Sequence, residues 1–173
     1  MTDDRTLNLL GAMALGVVDA LHSVVEASAG YGGETPAALV TLGVEPGISI
    51  KSLRQILNLS HPGTVRLIDR LESQDLVERR AGTDGRTLAL FLTDAGHERR
   101  RTILAERRQQ LQFVISSLTP EECQQLTTLL EKMLTTMTTN ELRSFVICRL
   151  CEEEVCPSDR CPVEQQYRHI VES

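Results

Sequence analysis

A chain of 173 residues that is 41% apolar has room for one domain with a real core, and its 3% aromatic content without Trp favours packed helices over a β-sandwich. The net charge of −6 excludes nucleic acid as a partner only if it is spread evenly. Residues 51–108 carry twelve Lys and Arg against eight Asp and Glu, whereas the rest carries six against sixteen, so a basic segment lies inside an acidic protein.

The start, Met1-Thr2-Asp3-Asp4, is acidic where an export signal would be basic, and the apolar stretch 7–25 is broken by Asp19 and His22. A cytoplasmic protein without a membrane span is expected, its five Cys held as reduced thiols or metal ligands. Residues 6–28 repeat apolar side chains (Leu10, Met13, Val17, Leu21, Val24) at steps of three and four, which predicts a helix with a broad face for other helices. A short helix over 34–43 follows, closed by the Pro46-Gly47 turn. Ser49 then caps a helix that buries Leu53, Ile56 and Leu57. Asn58 suits a left-handed turn, and Ser60, with Pro62 in the first turn, caps a second helix that buries Val65, Ile68 and Leu71. Two such helices joined by a tight turn predict a helix-turn-helix.

The period changes to two from Leu76. Strands over 76–80 and 87–92, joined by a loop over 81–85, form a β-hairpin wing. Thr93 caps a long helix to about residue 118, and Thr119, Pro120 and Glu122 open another that the pattern carries to 147. The fold class is mainly α with a small β-hairpin wing, a winged helix-turn-helix. No nucleophile–base pair, P-loop or glycine-rich dinucleotide motif appears, so no enzyme is expected.

Several segments resemble a known family. Leu53-Arg54-Gln55-Ile56-Leu57-Asn58-Leu59-Ser60, Val65-Arg66-Leu67-Ile68-Asp69-Arg70-Leu71-Glu72, Leu76-Val77-Glu78-Arg79, Asp84-Gly85-Arg86, Leu92-Thr93-Asp94-Ala95-Gly96 and Leu118-Thr119-Pro120-Glu121-Glu122 follow the MarR pattern in order and spacing. The resemblance covers roughly residues 35–135. It implies a homodimeric transcriptional regulator, more often a repressor, whose two winged lobes read a pseudo-palindromic operator in double-stranded DNA. It also implies a helical dimerisation domain drawn from both termini: residues 1–33 as the N-terminal helix, 34–93 as the DNA-binding domain, 94–147 as C-terminal dimerisation helices. In that family Arg86 would enter the minor groove with Asp84 orienting it, and a small-molecule effector would sit between the dimer helices and the lobe.

The physics of the elements agrees. A recognition helix offers its N-terminal residues to base edges, here Ser60, His61, Gly63, Thr64 and Arg66, while Arg79 and Arg80 on the wing are candidates for phosphates. Asp69 and Glu72 read as a salt-linked face, and Arg99-Arg100-Arg101 as a solvated one. An adaptor that uses the winged fold for protein contacts, with a structural zinc tail, is the alternative.

Residues 148–173 leave the family pattern. Cys148, Cys151, Cys156 and Cys161 are spaced C-x2-C-x4-C-x4-C, a density of thiols that suits tetrahedral zinc or an iron–sulfur cluster. The spacing is that of a zinc knuckle with Cys for His, but Cys156 and Cys161 are each followed by Pro, as the last ligand of a ferredoxin-type run is. Free thiols or a redox disulfide are the remaining readings. Such a tail would act as a sensory or structural clip on the dimerisation helices.

Overall fold

The computed structural model describes residues 3–29, 33–82 and 88–172. Their order is α1 (Asp4–Ala29), α2 (Thr35–Val44), β1 (Ile48–Ser49), α3 (Ile50–Ile56), α4 (His61–Ser73), β2 (Val77–Ala81), β3 (Leu88–Leu92), α5 (Asp94–Val114), α6 (Pro120–Met137), α7 (Glu141–Cys148) and α8 (Pro162–Glu172). The mainly helical class with a small sheet is what the periodicity predicts.

Short polar residues fix the helix starts. The Ser49 hydroxyl accepts from the Ser52 amide at 3.1 Å, the Ser60 hydroxyl from Gly63 at 3.2 Å, and Thr93 from Gly96 at 3.0 Å. Between α3 and α4 the chain reverses through Asn58 at φ 53°, the left-handed turn expected there. The capping box at Thr119 is complete, with both reciprocal bonds to Glu122 made.

The hairpin β2–β3 runs from Val77 opposite Leu92 to Ala81 opposite Leu88. A third strand, absent from the sequence reading, completes the sheet: β1 pairs Ile48 with Leu90 on the free edge of β3. Two residues are too few to show an alternation. Their placement comes from Gly47, whose φ of 88° turns the chain and whose amide donates to the Leu90 carbonyl at 2.8 Å. One core unites the lobe, with Leu39, Leu42, Leu53, Ile68, Leu71, Leu90 and Ile103 fully enclosed. Helix α5 leaves the sheet so closely that a Cβ on Gly96 would lie 2.0 Å from the Leu76 carbonyl oxygen.

Two expectations are corrected. The long last helix is two helices: α6 stops at Met137, Thr138 is extended (φ −89°, ψ 100°), and Asn140 caps α7 by accepting from Arg143 at 2.9 Å. A run of Thr with poor helix propensity, followed by a good cap residue, outweighs the apolar period there. Helix α8 was also unforeseen, and Pro162 opens it at a first-turn position.

Helix α1 packs on α5, yet Leu7, Leu10 and Met13 remain about half exposed. Helix α6 has no buried residue, and Leu129, Leu130, Met133 and Met137 are exposed along it. Cys123, on this helix, is half-buried. Among the described residues, no helix is long and apolar enough to cross a membrane.

Candidate nucleic-acid interface and cysteine loop

Helix α4 divides its candidate residues between two faces. Ser60, His61 and Arg66 are exposed and Gly63 is half-buried, while Leu67, Ile68 and Leu71 face the core. Thr64 corrects the sequence reading. Its side chain is fully buried and its hydroxyl donates to the Ser60 carbonyl at 3.1 Å, so it holds the helix start and cannot touch a base. The Ser60 hydroxyl is engaged as a cap and offers only its remaining hydrogen-bonding capacity.

The wing arginines also sort differently from expectation. Arg79, read as a phosphate contact, spends its guanidinium on Asp69 and Glu72 of α4, with a side chain only 18% exposed. It fastens wing to recognition helix. Arg80 pairs with Glu78 and lies 4.6 Å over the Phe91 ring, more than half of its side chain exposed. The ring steadies a cation that faces outward. Asp84 and Arg86 lie outside the described residues. Arg70 reaches from α4 to the buried Thr35 hydroxyl at 3.0 Å and so joins recognition helix to α2.

The four tail cysteines come together. Cys148 ends α7, Cys161 is buried just before α8, and the turns between them place all four on one cavity of about 190 Å³. Its other walls include Val44 and Glu45 from the end of α2, Phe145 of α7 and Val163 of α8. The loop is fastened to α5 by two ion pairs: Glu153 accepts from Arg100 at 2.8 Å and Glu152 from Arg108 at 2.7 Å. Arg100 is thus no solvated residue. Its side chain is 14% exposed and crosses Gly43 of α2 so closely that a Cβ there would stand 2.4 Å from its Cδ. Nothing in the sequence announces a partner 53 positions away. Among the described residues, no three His, Cys, Asp or Glu side chains stand in the close array that a single ion requires.

Comparison with known proteins points to one family. A model described as the MarR family matches residues 30–87. The transcriptional repressor MprA of Escherichia coli K12 is 33% identical over 113 residues, which are 64% of this chain and 64% of that protein. The chain therefore spans less than two thirds of this curated relative's length. A MarR family protein from Bacillus stearothermophilus superposes with a TM-score of 0.71 at 22% identity, covering 80% of this chain and all of that one. MepR, a transcription regulator of the Staphylococcus aureus multidrug efflux pump MepA, superposes with a TM-score of 0.64 at 20% identity, covering 74% and 95%. Residues 30–87 are thus similar to the MarR family, and the fold is that of the MarR proteins on which the chain superposes.

The MarR family match ends at residue 87, so the cysteine loop stands outside it. Within the loop the thiols govern each other's acidity. The Cys148 thiol donates to Cys151, which drives Cys148 far above the ordinary thiol range, with burial adding to the effect. The same bond, helped by the charge of Arg107 and opposed by burial, lowers Cys151 from 9.0 to about 6. Burial first, and then the neighbouring Cys161, raises Cys156 to about 11. One thiolate therefore forms readily beside Arg107, while Cys148 and Cys156 hold their protons more tightly than an ordinary thiol.

Proposed function

We propose that this MarR-family chain is a sequence-specific transcriptional repressor that acts as a homodimer on a pseudo-palindromic operator in double-stranded DNA. The observation that carries the reading is the face formed by the start of α4 and the wing, where His61 and Arg66 stand exposed beside a wing bearing Arg80. A recognition helix held by its N-cap with an arginine one turn in is suited to the major groove, and Arg66 has the fork geometry for guanine. The similarity to the repressor MprA supports the direction of the effect. The apolar residues left exposed on α1 and α6 support a dimer that buries them against a second copy.

The finer reading is that a zinc ion or iron–sulfur cluster on Cys148, Cys151, Cys156 and Cys161 modulates the repressor. Four thiols on one cavity are a suitable donor set, and side-chain rotation within the loop is needed to bring the sulfurs into a ligand array. A small-molecule effector has a candidate seat in the cavity between α1, α2 and α5. There Arg107 and Arg149 face Leu21, Pro36 and Ile103, a combination that suits an anion with an apolar body.

Selection of bound duplexes from a random-sequence pool, followed by footprinting, tests the reading. The expected product is a pair of inverted half-sites about 10 base pairs apart, centre to centre, or a multiple of that. Its affinity should fall steeply with salt. Failure to enrich any sequence overturns it.

A further inference from the structure

The cysteine loop is packed into the DNA-binding lobe as well as onto the helices expected to dimerise. Helix α7, which ends in Cys148, lies against α3, with Leu142 and Phe145 facing Ser52, Gln55 and Ile56. Leu150, between Cys148 and Cys151, packs onto the hydrophobic core of the lobe. Val44 and Glu45, which wall the thiol cavity, immediately precede the turn into β1 and α3. On the far side Cys161 leads into α8, which packs on both α6 and α7. The four cysteines therefore sit where the first helix of the helix-turn-helix is joined to a helix of the other layer. Arg100 is a third tie: its guanidinium is held by Glu153, its stem crosses Gly43, and its buried Nε has no partner among the described residues.

Resting on the metal-site reading above, we infer that the four-cysteine loop is a control element for its own protomer's DNA-binding lobe, in which occupancy of the thiols fixes α7 and Leu150 against α3 and the lobe core, and emptying the site loosens α3. A centre bound by all four thiolates removes the freedom of the segment 148–161 relative to α7 and α8. Because α7 and Leu150 are already seated on the lobe, that constraint reaches α3 without passing through the partner subunit. A DNA-binding lobe held in its binding geometry loses less conformational freedom on binding, so the occupied form should hold DNA more tightly. The Arg100–Glu153 pair transmits the loop position to α2 and α5, and Gly43 is the place on α2 that leaves room for it.

The test uses the full chain purified without oxygen, as isolated and after removal of metal by chelation under reductant. Metal content, amide hydrogen exchange and affinity for a selected operator duplex are measured on both forms, and on Cys151→Ser/Cys156→Ser. The expected result is that stripping accelerates exchange in α3 and α7 as well as in the loop. Affinity should fall by about tenfold, inside the roughly 5- to 150-fold range of allosteric coupling. Glu153→Gln keeps every cysteine and should retain the metal, yet show a smaller difference between loaded and stripped protein. If metal is bound but exchange changes only within residues 148–161 and affinity is unmoved, the wiring to α3 is wrong and the metal site stands. If the chain isolated without oxygen holds no metal, or the double serine variant holds as much, the metal site itself is wrong and this inference falls with it.

Discussion

Thr64 and Arg66 are two positions apart on α4, about 200° of rotation, and that turn alone sends one to the core and the other to solvent. Thr64 stands three and four positions before Leu67 and Ile68, on the same buried stripe. Its burial was legible in the sequence once the stripe was extended by one turn. The two residues should therefore respond oppositely to truncation. Arg66→Ala is expected to weaken operator binding by about 1–3 kcal/mol while leaving the melting temperature unchanged. Thr64→Ala should lower stability by about 0.5–1.5 kcal/mol, through loss of the bond to the Ser60 carbonyl, and leave the affinity of the folded protein alone. Denaturant melts and anisotropy titrations on the same samples separate the two effects.

The acidity of Cys151 is a second prediction at this scale. Its pKa in the fold lies below the ordinary thiol value, so the thiolate contributes stability that is complete above 9.0 and is lost as pH falls through about 6. The metal-free, reduced protein should thus show ultraviolet thiolate absorbance with a midpoint near 6. Arg107→Ala should move that midpoint upward, since it removes one of the two lowering influences and leaves the Cys148 hydrogen bond. An unshifted midpoint would show that Arg107 does not act on the thiol.

At the scale of elements, what sequence reveals depends on how local the determining force is. The caps at Ser49, Ser60 and Thr119 and the turn at Asn58 are set within four residues, and all could be read directly. The break at Thr138–Asn140 is equally local, yet it sits inside an apolar repeat that masks it. Strand β1 and the Arg100–Glu153 pair belong to the other kind. A two-residue strand has no period, and an ion pair between α5 and a distant loop leaves no trace in either segment. Arg79 is intermediate. The salt-linked face of Asp69 and Glu72 was visible, but its cation came from the wing. Gly96 shows the same dependence on packing. Because the obstacle to a side chain there is the Leu76 backbone, Gly96→Ala should cost about 1–3 kcal/mol in a denaturant melt despite alanine's better helix propensity.

For the whole molecule, the fold separates a closed lobe from helices that are incomplete alone. The lobe encloses most of its large aliphatic side chains, whereas α6 covers none of its own. Placing a charge in that surface should therefore break assembly and spare the lobe. Met133→Asp is expected to sediment as a monomer with retained helical signal, and its DNA affinity should drop toward that of a single half-site. A dimer that persists in this variant would move the interface elsewhere.

Arg79 has a mechanical meaning at this scale. By bracing the hairpin against Asp69 and Glu72, it makes α4 and the hairpin a single stiff prong. A dimer with two such prongs, as proposed above, would not adapt to an operator by bending either one. Its tolerance for half-sites set slightly too near or too far then resides in the joints behind the prongs, and the cysteine loop lies across one of these.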